Sequence, residues 1–386
     1  MIARPSGTPV GKRNIYAVGL PHSAVSVQLL LPAGAVRVVR RVLAFCVAAL
    51  IVLAVLFHTQ VVTGARAALF ILQVFPQVPV KPLDWITRAP AHRRVSFATP
   101  QGTVIADFFL PRPLIGEPAR LSEPAIVIAQ GVRLPVGARS GFVALSDTLA
   151  RLGYVVLFPQ LQTLATGHAG LEDPETYVRS FTYLERVPQV NPRRISYLGI
   201  SVGSSVALVG ASDGRINRQV HALIFFAGYY NIDDYLVSVA TGRDPYHGKA
   251  VRWSPDPSAA SQIKAILRAN GSAGLLPVFQ SHTVDAAERV LRASDPRDLL
   301  RMQRYNPASH MASYRAATFI LEDRGDTFVP YVESEKLAAA LPRSQRRALL
   351  ITNVFHHVLP GQGGLLRLAQ GSVSLFGFLY QVLAYL

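Results

Sequence analysis

The fold is decided by residues 195–210, which read ISYLGISVGSSVALVG. A strand is expected at the first six of these residues, and a helix is expected from Val202 onward. Ser201 lies at the junction, with Gly199 and Gly203 two positions away on either side. A serine on such a tight turn adopts strained backbone angles, so nearby residues must be small. The stretch therefore predicts a strand–turn–helix unit that presents Ser201.

Short apolar runs alternate with helical segments over residues 93–386. Strands are expected at residues 94–99, 104–110, 125–129, 154–158, 195–200, 222–227, 318–321 and 348–352, and helices at residues 143–151, 174–186, 202–210, 331–341 and 365–386. A Pro-Gln-Gly turn at residues 100–102 joins the first two strands as a hairpin, and Asp173 is expected to cap the helix that Pro174 opens. The alternation predicts an α/β domain with a mainly parallel sheet flanked by helices. Catalytic groups are then expected where the strands end.

The region at residues 234–313 interrupts this alternation and is rich in Pro, Asp, His and Arg. Two pieces within it, residues 259–269 and 285–292, carry apolar side chains at helical spacing, namely Ile263, Ile266, Leu267, Val290 and Leu291. The spacing favours an ordered helical insertion over a disordered one. We expect it to form a lid over the strand ends.

A serine hydroxyl is a weak nucleophile until a base takes its proton, and the base needs an acid to orient it. With a serine on a strand-to-helix turn, the acid and then the histidine follow the serine along the chain. The loop after the strand at residues 318–321 offers Asp323 and Asp326. Asp326 follows Gly325 at the loop apex and is the preferred acid, whereas an Asx-turn or helix cap suits Asp323 better.

The candidate base comes from two adjacent histidines after the last predicted strand. His356 and His357 follow residues 348–352 and lie about 30 residues beyond the acid. One should face Ser201 and the other should not. We prefer His357, with His356 as the alternative base.

The element order, the Gly199–Gly203 motif, the Gly325-Asp326-x-x-Val329-Pro330 stretch and the late histidine resemble the α/β-hydrolase superfamily. Within it the chain looks like dienelactone-hydrolase-like and prolyl-peptidase-like serine esterases. The resemblance covers residues 93–386 except the insertion. It implies a Ser201–His357–Asp326 triad, because these relatives hold the acid at the first position of Asp-x-x-Val-Pro.

The same resemblance implies a small-molecule acyl ester as substrate and no cofactor. Such relatives place a His-Gly pair after the third strand, but this chain reads Gln130-Gly131-Val132 there. The backbone amides of Val202 and Val132, or Gly131, are the candidate oxyanion hole. An acyltransferase shares these features, and a non-catalytic binding protein would need a broken triad. Tyr229 and Tyr230 either line the pocket or pack in the core.

The amino-terminal region contains a predicted transmembrane anchor at residues 42–62. Residues 42–57 read VLAFCVAALIVLAVLF, without charge, glycine or proline, and residues 58–62 extend the run toward the ~20 residues that span a bilayer. The first 41 residues, a basic tail, carry no acidic residue, and their basic residues are Arg4, Lys12, Arg13, Arg37, Arg40 and Arg41. The positive-inside rule then leaves the tail in the cytoplasm and the catalytic domain outside.

The alternative to an anchor is a signal peptide cleaved near Ala65-Arg66-Ala67, which would make the protein secreted. Residues 63–92 form a linker or interfacial segment in either case. Its apolar stretch at residues 67–75 is too short to span a membrane and reads as an interfacial segment or a helix packed on the domain.

Composition excludes several other classes of protein. The formal net charge is +16, but the basic residues are scattered, which argues against nucleic-acid binding. The single cysteine, Cys46, excludes a disulfide framework and a multi-thiolate metal site. No phosphate-binding loop and no His-Glu-x-x-His motif is present. His247, His282 and His310 lack carboxylates at ligand spacing, so no metal site is predicted.

Overall fold

The computed structural model describes residues 40–48, 52, 56–75, 78–112, 122–132, 138–167, 169–357, 359–360 and 365–386. The chain divides into two units, residues 1–58 and residues 59–386, and residues 40–48 of the first are helical. Among the helices of these described ranges, none has the length and apolar character needed to cross a bilayer. Residues 49–51 and 53–55 of the expected anchor lie outside the described residues.

The second unit is built on one large sheet. Its strands and those of two small hairpins are β1 Ala91–Thr99, β2 Gly102–Leu110, β3 Glu123–Ala129, β4 Val155–Pro159, β5 Val190–Ile200, β6 Ala222–Phe226, β7 Arg243–Tyr246, β8 Lys249–Arg252, β9 Ala317–Asp323, β10 Arg346–Thr352, β11 Phe355–His356 and β12 Leu359–Pro360. The helices are α1 His58–Val74, α2 Pro82–Ile86, α3 Ala138–Arg151, α4 Gln162–Ala165, α5 Asp173–Glu185, α6 Val202–Ala211, α7 Ile232–Thr241, α8 Pro257–Ala269, α9 Val284–Arg292, α10 Pro296–Gln303, α11 Pro307–His310, α12 Tyr331–Ala340 and α13 Leu365–Tyr385, with a 3₁₀ helix at Ala273–Gln280.

The large sheet has eight strands in the order β1-β2-β4-β3-β5-β6-β9-β10. Strand β2 pairs antiparallel with β1 and β4, and the remaining pairs are parallel. We call the edge where the parallel strands end the carboxyl edge, and the edge where they begin the amino edge. These parallel pairs confirm the mainly parallel sheet expected from the sequence. The expectation was sound because continuous apolar runs such as that of β3 suit strands covered on both faces.

Helices cover both faces of this sheet. On one face Phe181 of α5, Val206 of α6 and Leu337 of α12 are buried in the core. On the other face, Leu149 of α3 and Phe378 of α13 pack together with α1 and the residues that follow it. The stretch at residues 67–75 is therefore a helix packed on the domain, one of its two expected forms.

The region between β6 and β9 is ordered and mostly helical. Helices α8 and α9 correspond to the predicted pieces at residues 259–269 and 285–292. Together with α7, α10 and the 3₁₀ helix they enclose a separate apolar cluster that includes Leu236, Leu267 and Val278. The β7–β8 hairpin within the insertion was not predicted, because its sequence lacks the apolar alternation of a strand.

The expected role of Asp173 as a helix cap is wrong. Helix α5 begins at Asp173 itself, and the residue before it makes no side-chain cap hydrogen bond. The Asp173 carboxylate instead accepts hydrogen bonds from the Gly170 N–H and the Thr163 hydroxyl, both at 2.7 Å. The loop after β4 folds back over the carboxylate, so the donors come from upstream residues rather than from the helix.

Candidate active site

Ser201 lies on a strained turn between β5 and α6. Its backbone angles are φ 56° and ψ −139°, a left-handed region that non-glycine residues rarely occupy. The Ser201 N–H donates to the Phe226 carbonyl at 2.8 Å, which ties the turn to the end of β6. The strain is held by the surrounding sheet, and it presents the hydroxyl at the carboxyl edge.

The two glycines of the motif are required by close backbone approaches. A Cβ added at Gly203 would lie 2.2 Å from the Gln130 carbonyl oxygen, and one at Gly199 would lie 2.3 Å from Ser204 Cα. Neither neighbour is the end of a flexible side chain, so neither could move aside cheaply. The sequence expectation of small residues around Ser201 is met for this reason.

His357 connects the serine to a carboxylate. Its Nε2 lies 2.9 Å from Ser201 Oγ, and its Nδ1 lies 2.6 Å from Asp326 Oδ2. The His357 backbone is also left-handed, with φ 54°, and its ring packs on Phe328 at a centroid distance of 5.0 Å. The structure thus brings together Ser201, His357 and Asp326; the side chain of His356 lies outside the described residues.

Asp326 is buried and fully partnered. Its Oδ1 accepts hydrogen bonds from the Phe328 N–H at 2.7 Å and the Val329 N–H at 2.9 Å, which leaves Oδ2 for the histidine. Its backbone carbonyl accepts a hydrogen bond from Trp253 Nε1 at 2.7 Å. Trp253 belongs to the insertion, so the insertion is fastened directly to the acid loop, a contact that the sequence did not reveal.

Asp323, the alternative acid, forms the Asx-turn expected of it. Its Oδ1 accepts from the Gly325 N–H at 2.9 Å, two residues along the chain. Its Oδ2 accepts from the Phe355 N–H at 2.8 Å, just before the two histidines. Asp323 therefore positions the loop that carries His357.

A buried glutamate beside the acid was not identified from the sequence. Glu322 is fully buried at the end of β9, where it accepts hydrogen bonds from the Asp323 N–H at 2.9 Å and the Ser334 hydroxyl at 3.1 Å. Burial raises the pKa of Glu322 well above its usual range, and the charge of Asp326 raises this pKa further. The available signal was a second carboxylate, Glu322, directly before Asp323 at the end of a mostly apolar strand.

The loop after β3 passes directly beside the serine. A Cβ added at Gly131 would lie 2.9 Å from Ser201 Cβ. Gln130, which stands where the resembling family has histidine, is buried and donates from Nε2 to the Leu161 carbonyl at 3.2 Å. The glutamine side chain thus joins the loops after β3 and β4, and its backbone carbonyl lies beside Gly203 of α6.

An apolar cavity lies between this loop and the insertion. It encloses about 30 Å³, room for one or two water molecules. The lining residues are Val132, Ala169, Val202, Tyr229, Ile232, Tyr235, Ala259, Gln262, Ile263, Ile266, Met302, Tyr305 and Phe328. Tyr229 lines the cavity, with its hydroxyl bonded to the Tyr305 carbonyl at 3.0 Å. Tyr230 instead packs on the core.

The sheet has a fixed order of strands with a serine turn after β5. The acid follows β9 and the histidine follows β10, so the three side chains occur in the order serine, acid, histidine along the chain. This arrangement is the α/β-hydrolase fold. No protein-family model and no curated protein matches the sequence.

Several solved structures with the α/β-hydrolase fold are similar to this chain. A putative dipeptidyl aminopeptidase IV from Bacteroides ovatus shares 12% identity at a TM-score of 0.48, over 75% of this chain and 36% of its own. A 2,6-dihydroxy-pseudo-oxynicotine hydrolase shares 13% at 0.47, over 75% of this chain and 68% of its own. An esterase from Pyrobaculum calidifontis shares 16% at 0.44, over 79% of this chain and 90% of its own. The chain therefore spans about a third of the length of the dipeptidyl aminopeptidase.

Proposed function

We propose that this protein is a serine hydrolase that cleaves carboxylic esters, or related acyl bonds, through an acyl-enzyme on Ser201. The observation that carries the proposal is the hydrogen-bonded series in which Asp326 lies 2.6 Å and Ser201 2.9 Å from the two nitrogens of His357. An acid, a base and a nucleophile in contact are what the chemistry requires.

In this mechanism Ser201 Oγ attacks the acyl carbon while His357 Nε2 takes the hydroxyl proton. The histidine then gives that proton to the leaving alcohol as the ester bond breaks, and the acyl group remains on Oγ. Water attacks the acyl-enzyme by the same steps and releases the acid. Asp326 accepts from Nδ1–H, which fixes the tautomer and stabilises the imidazolium. Its two backbone donors hold Oδ1 so that Oδ2 stays aimed at the histidine.

The backbone amides of Val202 and Val132 form the oxyanion hole in this proposal. Val202 is the first residue of α6. At this end of a helix the N–H groups have no intrahelical partner, and the helix dipole has its positive end. Each such donor contributes about 3–4 kcal/mol to transition-state stabilisation in serine hydrolases. The close passage of Gly131 past Ser201 supports a second donor from that loop.

The insertion at residues 234–313 acts as a lid that shapes the acyl site. Ile263 of α8 and Met302 of α10 line the apolar cavity beside Val202, and Trp253 bonds to the acid loop. The small volume of this cavity, about 30 Å³, argues against a long acyl chain. The insertion belongs to an α/β-hydrolase domain proposed at residues 93–386, and the segment proposed before it at residues 63–92 includes most of α1, which packs on the domain.

Residues 42–62 form a single-pass membrane anchor in this proposal, with the basic tail at residues 1–41 in the cytoplasm. The support is the uncharged run VLAFCVAALIVLAVLF and the arginines directly before it. The hydrolase domain is then extracytoplasmic. Fractionation of cells and protease protection of the intact membrane would test both statements.

The decisive experiment for the nucleophile uses a fluorophosphonate probe on the folded full chain. We expect labelling at Ser201, its loss in Ser201→Ala, and its retention in Ser204→Ala, a neighbour whose hydroxyl bonds to the backbone of Phe226. Turnover of p-nitrophenyl acetate should exceed that of the octanoate if the cavity takes short acyl groups. Folded wild-type protein that stays unlabelled while a control esterase reacts would disprove the proposal.

A further inference from the structure

A basic groove lies at the amino edge of the sheet, opposite Ser201. It has a volume of about 660 Å³ and is open to solvent. Its charged and aromatic lining consists of Arg193, Arg218, His221, Arg315, Arg347 and Tyr385, which we call the amino-edge groove. Four separate segments supply the arginines: the beginnings of β5 and β10, and the loops that precede β6 and β9. The parallel strands that carry the serine and the acid at one end therefore carry this groove at the other.

The four arginines of the amino-edge groove form no ion pair with a carboxylate of the described chain. Nearby arginines are partnered. Arg215 forms ion pairs with Asp213 and Glu175, and Arg194 contacts the backbone oxygen of Leu386. Local carboxylates thus exist, but they neutralise arginines outside the groove.

Several of the groove side chains are already held in place. The Arg347 guanidinium lies over the Tyr385 ring at 4.8 Å, and Arg315 donates to the Tyr314 carbonyl at 2.7 Å. The His221 ring stacks on Tyr385 at 4.7 Å, with its Nε2 3.0 Å from the Tyr385 carbonyl. Ordered guanidinium groups lose less conformational entropy when they bind a ligand.

Converging positive charges repel one another unless an anion lies between them. Planar guanidinium groups match the oxygens of a phosphate group with paired, charge-assisted hydrogen bonds. We propose that the amino-edge groove binds the phosphate group of an anionic ligand. This site is separate from the proposed catalytic site and does not depend on it.

The phosphate could belong to a soluble ligand or to a phospholipid headgroup. A chain held at a membrane by the anchor proposed at residues 42–62 would meet headgroups at high local concentration. The proposed anchor therefore favours an anionic phospholipid headgroup over a soluble phosphate, and the test distinguishes the two sources.

The test titrates two probes into the full chain in a neutral detergent at constant ionic strength. The probes are inorganic phosphate and dihexanoyl-phosphatidylglycerol, with sodium chloride and dihexanoyl-phosphatidylcholine as references, and calorimetry reports the dissociation constant. The groove variant is Arg218→Gln/Arg347→Gln. The matched control is Arg268→Gln/Arg297→Gln, two exposed arginines of the insertion.

We expect the groove variant to weaken binding of phosphate or phosphatidylglycerol by at least about 10-fold, and the control variant to leave it unchanged. Tighter binding of phosphatidylglycerol than of inorganic phosphate would assign the lipid as source, and binding of phosphate alone would assign a soluble one. Absence of binding by both probes would overturn the proposal. Equal losses of binding in the two variants, or measurable and equal binding of the anionic and the zwitterionic lipid, would overturn it as well.

Discussion

At the carboxyl edge of the sheet, Asp326 is buried and every one of its oxygens has a hydrogen-bond partner, whereas at the amino edge Arg218 and Arg347 face solvent without a described carboxylate. The same strands connect the two edges. At the first, loops and the insertion close over charged groups and fix their positions. At the second, the arginine side chains remain exposed to solvent.

The difference shows what burial does to charge in this molecule. A carboxylate enclosed at the carboxyl edge must be satisfied by backbone N–H groups and by a histidine, because an unpartnered buried charge costs several kcal/mol. Arginines at the amino edge keep their hydration, so they can remain unpaired until a ligand arrives.

The largest effect is expected for Asp326→Asn at the carboxyl edge. An amide would donate to His357 Nδ1 and stabilise the wrong tautomer, so kcat should fall by about 10⁴-fold while the fold persists. Steady-state kinetics on an activated ester measures it. The matched control is Asp213→Asn near the amino edge, where the carboxylate accepts hydrogen bonds from Arg215, and this variant should leave kcat unchanged. A similar fall in kcat for both variants would argue against Asp326 as the acid.

Glycines at the two edges should tolerate a methyl group very differently. Gly203→Ala places a Cβ 2.2 Å from the Gln130 carbonyl oxygen and should lower the free energy of unfolding by about 4 kcal/mol. Gly214→Ala, in the loop before β6, meets no described atom within 4 Å and should change it by less than about 0.5 kcal/mol. Urea unfolding of both variants measures the difference, and equal destabilisation would contradict the geometry.

The pH dependence of stability should also differ between the edges. Burial raises the pKa of Asp173, at the carboxyl edge, to about 6. Its folded pKa exceeds its unfolded value of about 3.9, so stability should fall by up to about 3 kcal/mol as pH rises from 4 to 6. Asp173→Asn should remove that fall in urea unfolding measured across this range.

For Asp213, near the amino edge, the expected change of stability with pH has the opposite sign. Hydrogen bonds from Arg215 lower the pKa of this carboxyl, so its contribution is present above pH 4 and lost as pH falls below it. Asp213→Asn should therefore flatten the acid side of the profile and leave the slope between pH 4 and 6 unchanged. Identical stability profiles for Asp173→Asn and Asp213→Asn would contradict the opposite pKa shifts of the two carboxyl groups.

Much of the sheet was predictable from the chain because its signals are local. Apolar runs such as β3 and β4 and helices such as α6 and α12 appear in the sequence at nearly their observed bounds. The glycines around Ser201 were equally readable, since the tight turn itself requires them. Contacts made by polar side chains were harder to foresee: Asp173 was expected to cap α5, but its carboxylate turned to the preceding loop.

The order of the elements, the serine turn, and a short list of acids and histidines in the required order could be read from the residues alone. Only the tertiary structure brought His357 to Ser201, 156 residues away, and to Asp326, 31 residues away. It alone joined Trp253 to the acid loop and assembled four arginines from separate segments into one groove. The physical reason is the range of the interactions: backbone propensity and apolar spacing act between near neighbours, whereas hydrogen bonds and charge clusters depend on how distant loops meet at the sheet edges.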